Sequence, residues 1–381
     1  MEVRKGSSRK KSRAGFGICR WALYLIMISL FAKSVFSFIH NCKVSKENED
    51  KYVFLDPKED RKIQWDDTVL EDKVRQWIDK REGDIYLRDL WDITALKLDR
   101  WVGDDGIVGD EIRDISSLEG LQNLRILSLE YHDVADIHVI SSMTNLEKLD
   151  LNGNHIQDLS AIVSLQFLKK LDLRNTCIQK EELKCISELK SLSTLRLDYN
   201  GLEELGVVEE LNLFCLTASG NEITDISPLR NSDKCRFIDL CSNRITDISP
   251  LKNVDKCLAL NLSDNEITDV GALSALKRLE YLNLCDNKIT DITPLKSLRN
   301  VYLLSLCDNQ ITTLPDLSGM TSLLYLHLED NQITTEEWKK VRLPWSICTV
   351  YITGNPITDL ETDREYPGLE VIFEEEMIED R

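Results

Sequence analysis

Leucine and isoleucine return along this chain at a fixed spacing, and one asparagine returns with them. The unit Leu-x-Leu-x-x-Asn-x-Ile stands at Leu149, Leu151, Asn154 and Ile156. It stands again at Leu260, Leu262, Asn265 and Ile267, and at Leu282, Leu284, Asn287 and Ile289. Two more copies begin at Leu304 and Leu326, and from Ile238 to Leu326 the period is 22 residues without exception. Imperfect copies carry the pattern from Leu127 to Ile357. Starts at 127, 149, 171, 195, 216, 238, 260, 282, 304, 326 and 350 give eleven units, and a twelfth, irregular one begins at Leu96. A period of this length marks stacked units, each burying its apolar face on its neighbours.

The unit predicts its own shape. Leu-x-Leu alternates like a short strand, so both leucines point inward. The asparagine sits where the chain must turn away from the sheet. Its amide has two donors and an acceptor, which can satisfy backbone groups left unpaired by the turn. Stacking then predicts a ladder of Asn154, Asn200, Asn221, Asn243, Asn265, Asn287, Asn309, Asn331 and Asn355. His132 and Thr176 replace asparagine in two units. The second half of the unit reads Ile-Thr-Asp-Ile-Ser-Pro-Leu at Ile223–Leu229 and Ile245–Leu251. A proline there has no backbone donor and suits a short helical turn, not a sheet interior. The recurrence of its aspartate is read as structural. Each unit is therefore strand, turn, short 3₁₀ or loop segment, and return. Eleven strands about 4.8 Å apart make a concave sheet roughly 50 Å along its arc. Spacings of 24 and 21 residues around 171–216 predict a helix near Lys180–Leu189 and a local change of curvature.

Ahead of the repeats, Asp67–Lys80 carries Val69, Leu70, Val74, Trp77 and Ile78 at helical spacing. This small helix and the units behind it resemble the internalin-type leucine-rich repeat proteins of bacterial surfaces, over residues 67–360. The resemblance implies an α/β fold: a leucine-rich repeat solenoid over residues 96–360, with a parallel concave sheet and a short 3₁₀ or loop convex side. It implies a helical cap over residues 67–95. It also implies recognition of a protein partner through the concave face. Residues 361–381, with Phe373-Glu374-Glu375-Glu376, read as a capping strand and acidic tail. There is no C-terminal wall-sorting pattern and no large domain after the repeats, so anchoring is expected of the N-terminus.

Residues 1–43 hold nine basic residues and one acidic residue, a net of +8 in a chain of net charge −19, which leaves −27 on the rest. Residues 1–20 read as a basic cytoplasmic tail. Trp21–Ile39 is mostly apolar, broken by Lys33. A basic head before an apolar run keeps the head inside and sends the downstream chain outward. Two readings stand for residues 21–39. One is an uncleaved anchor, since nineteen residues of helix cross about 28 Å. The other is an export signal cut near Ala32–Ser34 or Val35–Ser37, which releases the repeats. Residues 43–66 are a polar spacer.

Composition narrows the chemistry. The acid excess argues against nucleic acid, whose phosphates require lysine and arginine. The 11 cysteines include no C-x-x-C pair and read as small hydrophobes. Cys241, Cys285 and Cys307 share one strand column. A disulfide between Cys285 and Cys307 is conceivable by distance, but parallel side chains rarely match its geometry, so strand fillers are the favoured reading. Asp104, Asp105, Asp110 and Glu111 sit among Gly103, Gly106 and Gly109 in what reads as a solvated loop. The five histidines pair with no nucleophile, and His327 is not at ligand spacing from a cysteine pair. No cofactor, metal or enzymatic activity is expected, and a monomer is.

The outward strand positions are where a partner is expected. In the C-terminal half they gather aromatics among small polar groups, which is typical of binding hot spots. The candidate patch is Phe237, Tyr281, Leu303, Tyr325, His327 and Tyr351. The competing reading is that these side chains only stack along the sheet as neighbouring-strand pairs. A different function also fits the thiol-rich, acidic composition. The chain resembles, in period and composition, the intracellular leucine-rich repeat scaffolds that regulate phosphatases. A non-catalytic subunit of an enzyme complex is a third reading.

Overall fold

The computed structural model describes residues 52–103, 106–359 and 369–373. The basic tail, the apolar run at residues 21–39 and the acidic tail after residue 373 lie outside the described residues. Among the described residues no helix is long and apolar enough to cross a membrane.

Thirteen three-residue strands form one parallel sheet in sequence order. It runs from Ala95–Lys97 and Ile126–Ser128, through the repeats, to Thr349–Tyr351 and Glu370–Ile372. The central residue of each strand is the first leucine of a unit or its equivalent: Leu96 faces Leu127, Leu260 faces Leu282, and Leu282 faces Leu304. These residues are fully buried in one continuous core. The last strand, centred on Val371, pairs with the strand of Tyr351 and adds a unit beyond the twelve in the sequence pattern.

The asparagines close each turn. Asn243 donates from Nδ2 to the carbonyls of Leu240 (3.0 Å), Cys241 (3.1 Å) and, one unit back, Ala218 (3.0 Å). Its Oδ1 accepts from Ile223 N at 3.0 Å. The same four bonds recur at Asn265, Asn287, Asn309 and Asn331. The residue just before the ladder position is left-handed in every unit: Ser242, Asp264, Asp286, Asp308 and Asp330 have φ of 52–54°. Asp tolerates that region better than most residues. Gly220 fills the position with φ 64°, and a Cβ there would meet the ring of Tyr199 at 2.3 Å. Tyr199, itself at φ 59°, lies across the next unit and leaves room only for glycine.

The convex side is built from 3₁₀ segments, most of them opened by the repeat aspartate. Asp247 Oδ1 accepts from Ser249 N at 2.8 Å, and its Oδ2 accepts from Ser249 Oγ at 2.9 Å, at the start of Ser249–Asn253. Asp225 does the same for Ser227. The helix expected near Lys180–Leu189 is a seven-residue 3₁₀ segment, Glu182–Glu188. An α-helix not read from the sequence, Thr335–Lys340, replaces the 3₁₀ turn near the C-terminal end and buries Trp338.

The N-terminal helix is Thr68–Trp77. Asp67 caps it, accepting at Oδ1 from Val69 N and Leu70 N, both at 2.9 Å. Its other oxygen accepts from Arg113 N at 2.7 Å, which ties the helix start to the first repeats. Burial opposes the charge on Asp67, yet its backbone N–H donors hold the pKa below the usual range. Leu70 and Val74 join the repeat core. The insertion read as a solvated loop is instead an antiparallel hairpin, Trp101–Gly103 with Gly106–Val108. Glycines flank its second strand in the left-handed region: Gly106 has φ 113° and Gly109 has φ 101°.

His132 shows what the ladder position needs. Its Nε2 lies 2.8 Å from Leu98 O, and its Nδ1 accepts from Ile112 N at 3.1 Å. One donor and one acceptor reproduce the asparagine amide, but only in the neutral Nε2–H tautomer. Burial is the main reason its pKa is lowered. The unfolded chain therefore takes up the proton first, near pH 6.5, and stability falls as pH drops below that value. His132→Asn should remove this loss, worth up to about 2 kcal/mol at pH 5. Thermal unfolding at pH 5 and pH 7 checks it, and an unchanged pH difference in the variant would refute the tautomer argument.

Candidate functional site

The first and third residues of each strand face away from the core and line the concave side. In the N-terminal half this face is charged. Arg174 clasps Asp172 with two nitrogens, Nε to Oδ1 and Nη2 to Oδ2, both at 2.8 Å. Arg196 Nη1 reaches the same carboxylate at 3.2 Å. On the neighbouring strand Asp150 is buried, with Lys148 Nζ at 3.4 Å. Burial, then the Asp172 charge, lifts the Asp150 pKa to about 8. Asp198 accepts from Thr217 Oγ1 at 2.7 Å, Ser219 N at 2.7 Å and Ser219 Oγ at 2.8 Å. Burial raises its pKa, and burial together with Asp198 lifts Asp239 to about 6.

In the C-terminal half the structure brings the candidate residues onto adjacent strands, but it corrects their expected exposure. Phe237, Tyr281, Leu303 and His327 are buried. Phe237, Ala259, Tyr281 and Leu303 stand in register on successive strands. With Cys215 and Cys285 they form a second apolar cluster, distinct from the solenoid core, and Phe214 and Tyr302 pack against it. The physical reason is the strand spacing. Side chains of one column on parallel strands about 4.8 Å apart cover each other's flanks. Burial pushes the Tyr281 hydroxyl pKa up.

Tyr325, at the end of this column, is 39% exposed. Its neighbour on the far strand is the short Thr349, which covers less of the ring. The imidazole of His327 stacks on Tyr351, with centroids 4.2 Å apart and planes at 4°. His327 Nδ1 lies 3.0 Å from Glu329 Oε1, and the other oxygen of Glu329 is buried with no hydrogen-bond partner among the described residues.

Cys285 and Cys307 are joined by a disulfide, which corrects their reading as strand fillers. Strict register places their Cα atoms 4.5 Å apart, within the span a disulfide accepts. Cys241, two units earlier in the column, is not part of this disulfide, and Ser263 stands between. Sequence reasoning also missed Cys235 and Cys257, equivalent residues of adjacent units inside the solenoid core. Burial lifts the Cys257 thiol to about 12 and the Cys235 thiol well above its ordinary value. Among the described residues no cluster of His, Cys, Asp and Glu could hold a metal ion.

The repeats match a family model, Leucine Rich repeats, at residues 144–185 and 259–297, and a second leucine-rich repeat model at 319–336. No curated protein matches the chain in sequence. Among solved structures, an internalin of Listeria monocytogenes, InlF, is similar over 81% of this chain and 96% of its own, with 25% identity and a TM-score of 0.71. The chain is an internalin-type leucine-rich repeat protein. A second Listeria internalin, C2, aligns over 66% of this internalin-type chain and 100% of its own, with 26% identity and a TM-score of 0.50. Listeria InlJ shares the fold at 21% identity and a TM-score of 0.63, over 81% of this chain and 68% of its own, and its functional domain is described as including a cysteine ladder. As a leucine-rich repeat array, the internalin-type chain is a protein-interaction module.

Proposed function

We propose that this module is non-enzymatic, that it takes a protein partner on the concave face, and that residues 21–39 hold it outside a membrane. The helix Thr68–Trp77 acts as the cap that shields the N-terminal edge. One observation carries the reading: the concave face pairs a charged half, around Arg174, Asp172 and Arg196, with an accessible aromatic, Tyr325, at its other end. Charge gives a partner its orientation and on-rate, and an exposed tyrosine supplies an anchor. The patch is therefore narrower than the six residues of the sequence pattern. Phe237, Tyr281 and Leu303 support it from beneath, while Tyr325 and the flanking His327–Tyr351 stack present it. The buried thiols do not by themselves favour the intracellular scaffold. Cys215, Cys235 and Cys257 are buried, and a buried, protonated thiol survives in an oxidising exterior as well as in the cytosol.

The test places a photoreactive residue at Tyr325 or at Val163, which is exposed on the convex side, in the full-length chain on intact cells. Adducts with a second polypeptide are expected from position 325 and not from 163. Protease added outside should digest the repeats. Equal adducts from both positions would refute the concave face, and repeats that stay intact while a surface control is cut would refute display.

A further inference from the structure

The convex side breaks its own pattern once. The units carrying Gly271–Ala275 and Thr293–Ser297 stack 3₁₀ segments on each other, but residues 311–320 of the next unit contain no helical segment. The C-terminal flank of Thr293–Ser297 is left uncovered. A groove of about 760 Å³ opens there, and Lys277, Lys296, Arg299, Asn300, Asp316 and Ser318 are among its lining residues.

Some exposed lysines pair with a carboxylate of an adjacent unit: Lys180 with Glu204 at 2.6 Å, Lys288 with Glu266 at 2.7 Å, Lys190 with Glu210 at 3.3 Å. No carboxylate of the described residues lies within ion-pair distance of Lys277, Lys296 or Arg299, although the whole chain carries −19. Asp316, the groove's own acid, accepts from Ser318 N at 3.0 Å and lies 3.7 Å from Arg342 Nη1. Lys277, Lys296 and Arg299 thus line one groove with no carboxylate partner among the described residues.

We propose that this groove binds a linear polyanion carrying phosphate groups, on a surface separate from the concave face. Its volume falls in the range of small-molecule clefts, enough for a chain segment. Phosphate suits a mixed guanidinium and ammonium set, with serine hydroxyl and amide groups at the rim. A protein partner is disfavoured, because the lining offers no aromatic or aliphatic anchor of the kind protein hot spots use.

The test is fluorescence anisotropy of labelled inorganic polyphosphate with the full-length chain at about 50 mM salt, where phosphate contacts are strongest. Saturable binding is expected, weakening steeply as salt rises. A triple variant, Lys277→Glu, Lys296→Glu and Arg299→Glu, should lose about 10-fold or more in affinity, and a Gln triple variant about 5-fold. A control with the same change of charge elsewhere, Lys58→Glu, Arg81→Glu and Lys184→Glu, should stay within about 2-fold. The Gln variant decides the matter if the Glu variant does not unfold at the parent's temperature. Absence of saturable binding, an equal loss in the control, or tighter binding of a glutamate oligopeptide of matched charge would each overturn the proposal.

Discussion

Asn265→Ala should destabilise the solenoid by about 3–5 kcal/mol, because it strands several buried backbone groups at once. Nδ2 of Asn265 donates to Leu240 O at 3.0 Å, Leu262 O at 3.1 Å and Ser263 O at 3.0 Å, and Oδ1 accepts from Ile245 N at 3.0 Å. Two of these partners belong to the preceding unit, so the side chain couples neighbours as well as closing its own turn. Stability in such an array is a sum of unit terms and interface terms, and this substitution weakens both. Asn265→Asp should be worse. It keeps the acceptor for Ile245 N but turns an acceptor edge towards three carbonyl oxygens. Urea denaturation followed by circular dichroism measures the effect, and hydrogen exchange at Ile245 localises it. A midpoint for Asn265→Ala equivalent to less than about 1 kcal/mol would mean that water replaces the amide and that the ladder is ornamental to stability. Thr176 is the natural half-measure: its hydroxyl reaches Leu173 O at 2.7 Å, and Asn200 Oδ1 supplies the acceptor for Thr176 N at 3.0 Å.

The ladder was legible because one residue type fills a position that only an amide satisfies fully. The inward leucines were legible for the same reason, since the core accepts little else at Leu260 or Leu282. The left-handed position before the ladder was not. Its occupants are Tyr131, Gly153, Asn175, Tyr199, Gly220, Ser242, four aspartates and Gly354, and over the whole array that mixture keeps no single residue type although the backbone repeats. The candidate patch failed in a different way. Alternation correctly placed Phe237 and Tyr281 on the side of the strand opposite Ile238 and Leu282, but alternation reports a direction and not an exposure. What covers Tyr281 is Ala259, Leu303 and Tyr302, and how well they cover it depends on the size of residues 22 positions away. The disulfide was hidden by the same limitation. Cα separation between in-register strands is a property of the sheet, and sequence spacing alone does not supply it. The hairpin at Trp101–Val108 has strands of three residues each, too short for alternation to register against a glycine-rich, acidic background.

Asp150→Asn should do the opposite of Asn265→Ala and stabilise the protein, but only on the alkaline side. Asp150 is buried on the concave face beside Asp172, and its pKa rises to about 8, whereas an unfolded aspartate titrates near 3.9. The folded chain therefore holds a proton that the unfolded chain has lost. The stabilisation is fully present below about pH 4 and disappears as pH rises through about 8. Asparagine keeps the neutral shape at every pH, so the variant should match the parent near pH 4 and exceed it by about 2–4 kcal/mol at pH 8. Three other groups are shifted as well. Asp239, lifted to about 6, contributes a decline of the same sign up to that pH, and His132 contributes a rise up to about 6.5. Asp198, which burial also raises, adds a decline of the same sign, so Asp150 is read from the difference between the parent and Asp150→Asn and not from the parent's slope alone. Urea midpoints between about pH 6.5 and 8 should fall more steeply for the parent than for Asp150→Asn; parallel curves would mean that Lys148 already holds the carboxylate ionised. The outcome bears on binding too. A neutral Asp150 leaves Asp172 as the carboxylate that Arg174 and Arg196 must balance, so the N-terminal half of the concave face presents excess positive charge at neutral pH and loses part of it as Asp150 ionises.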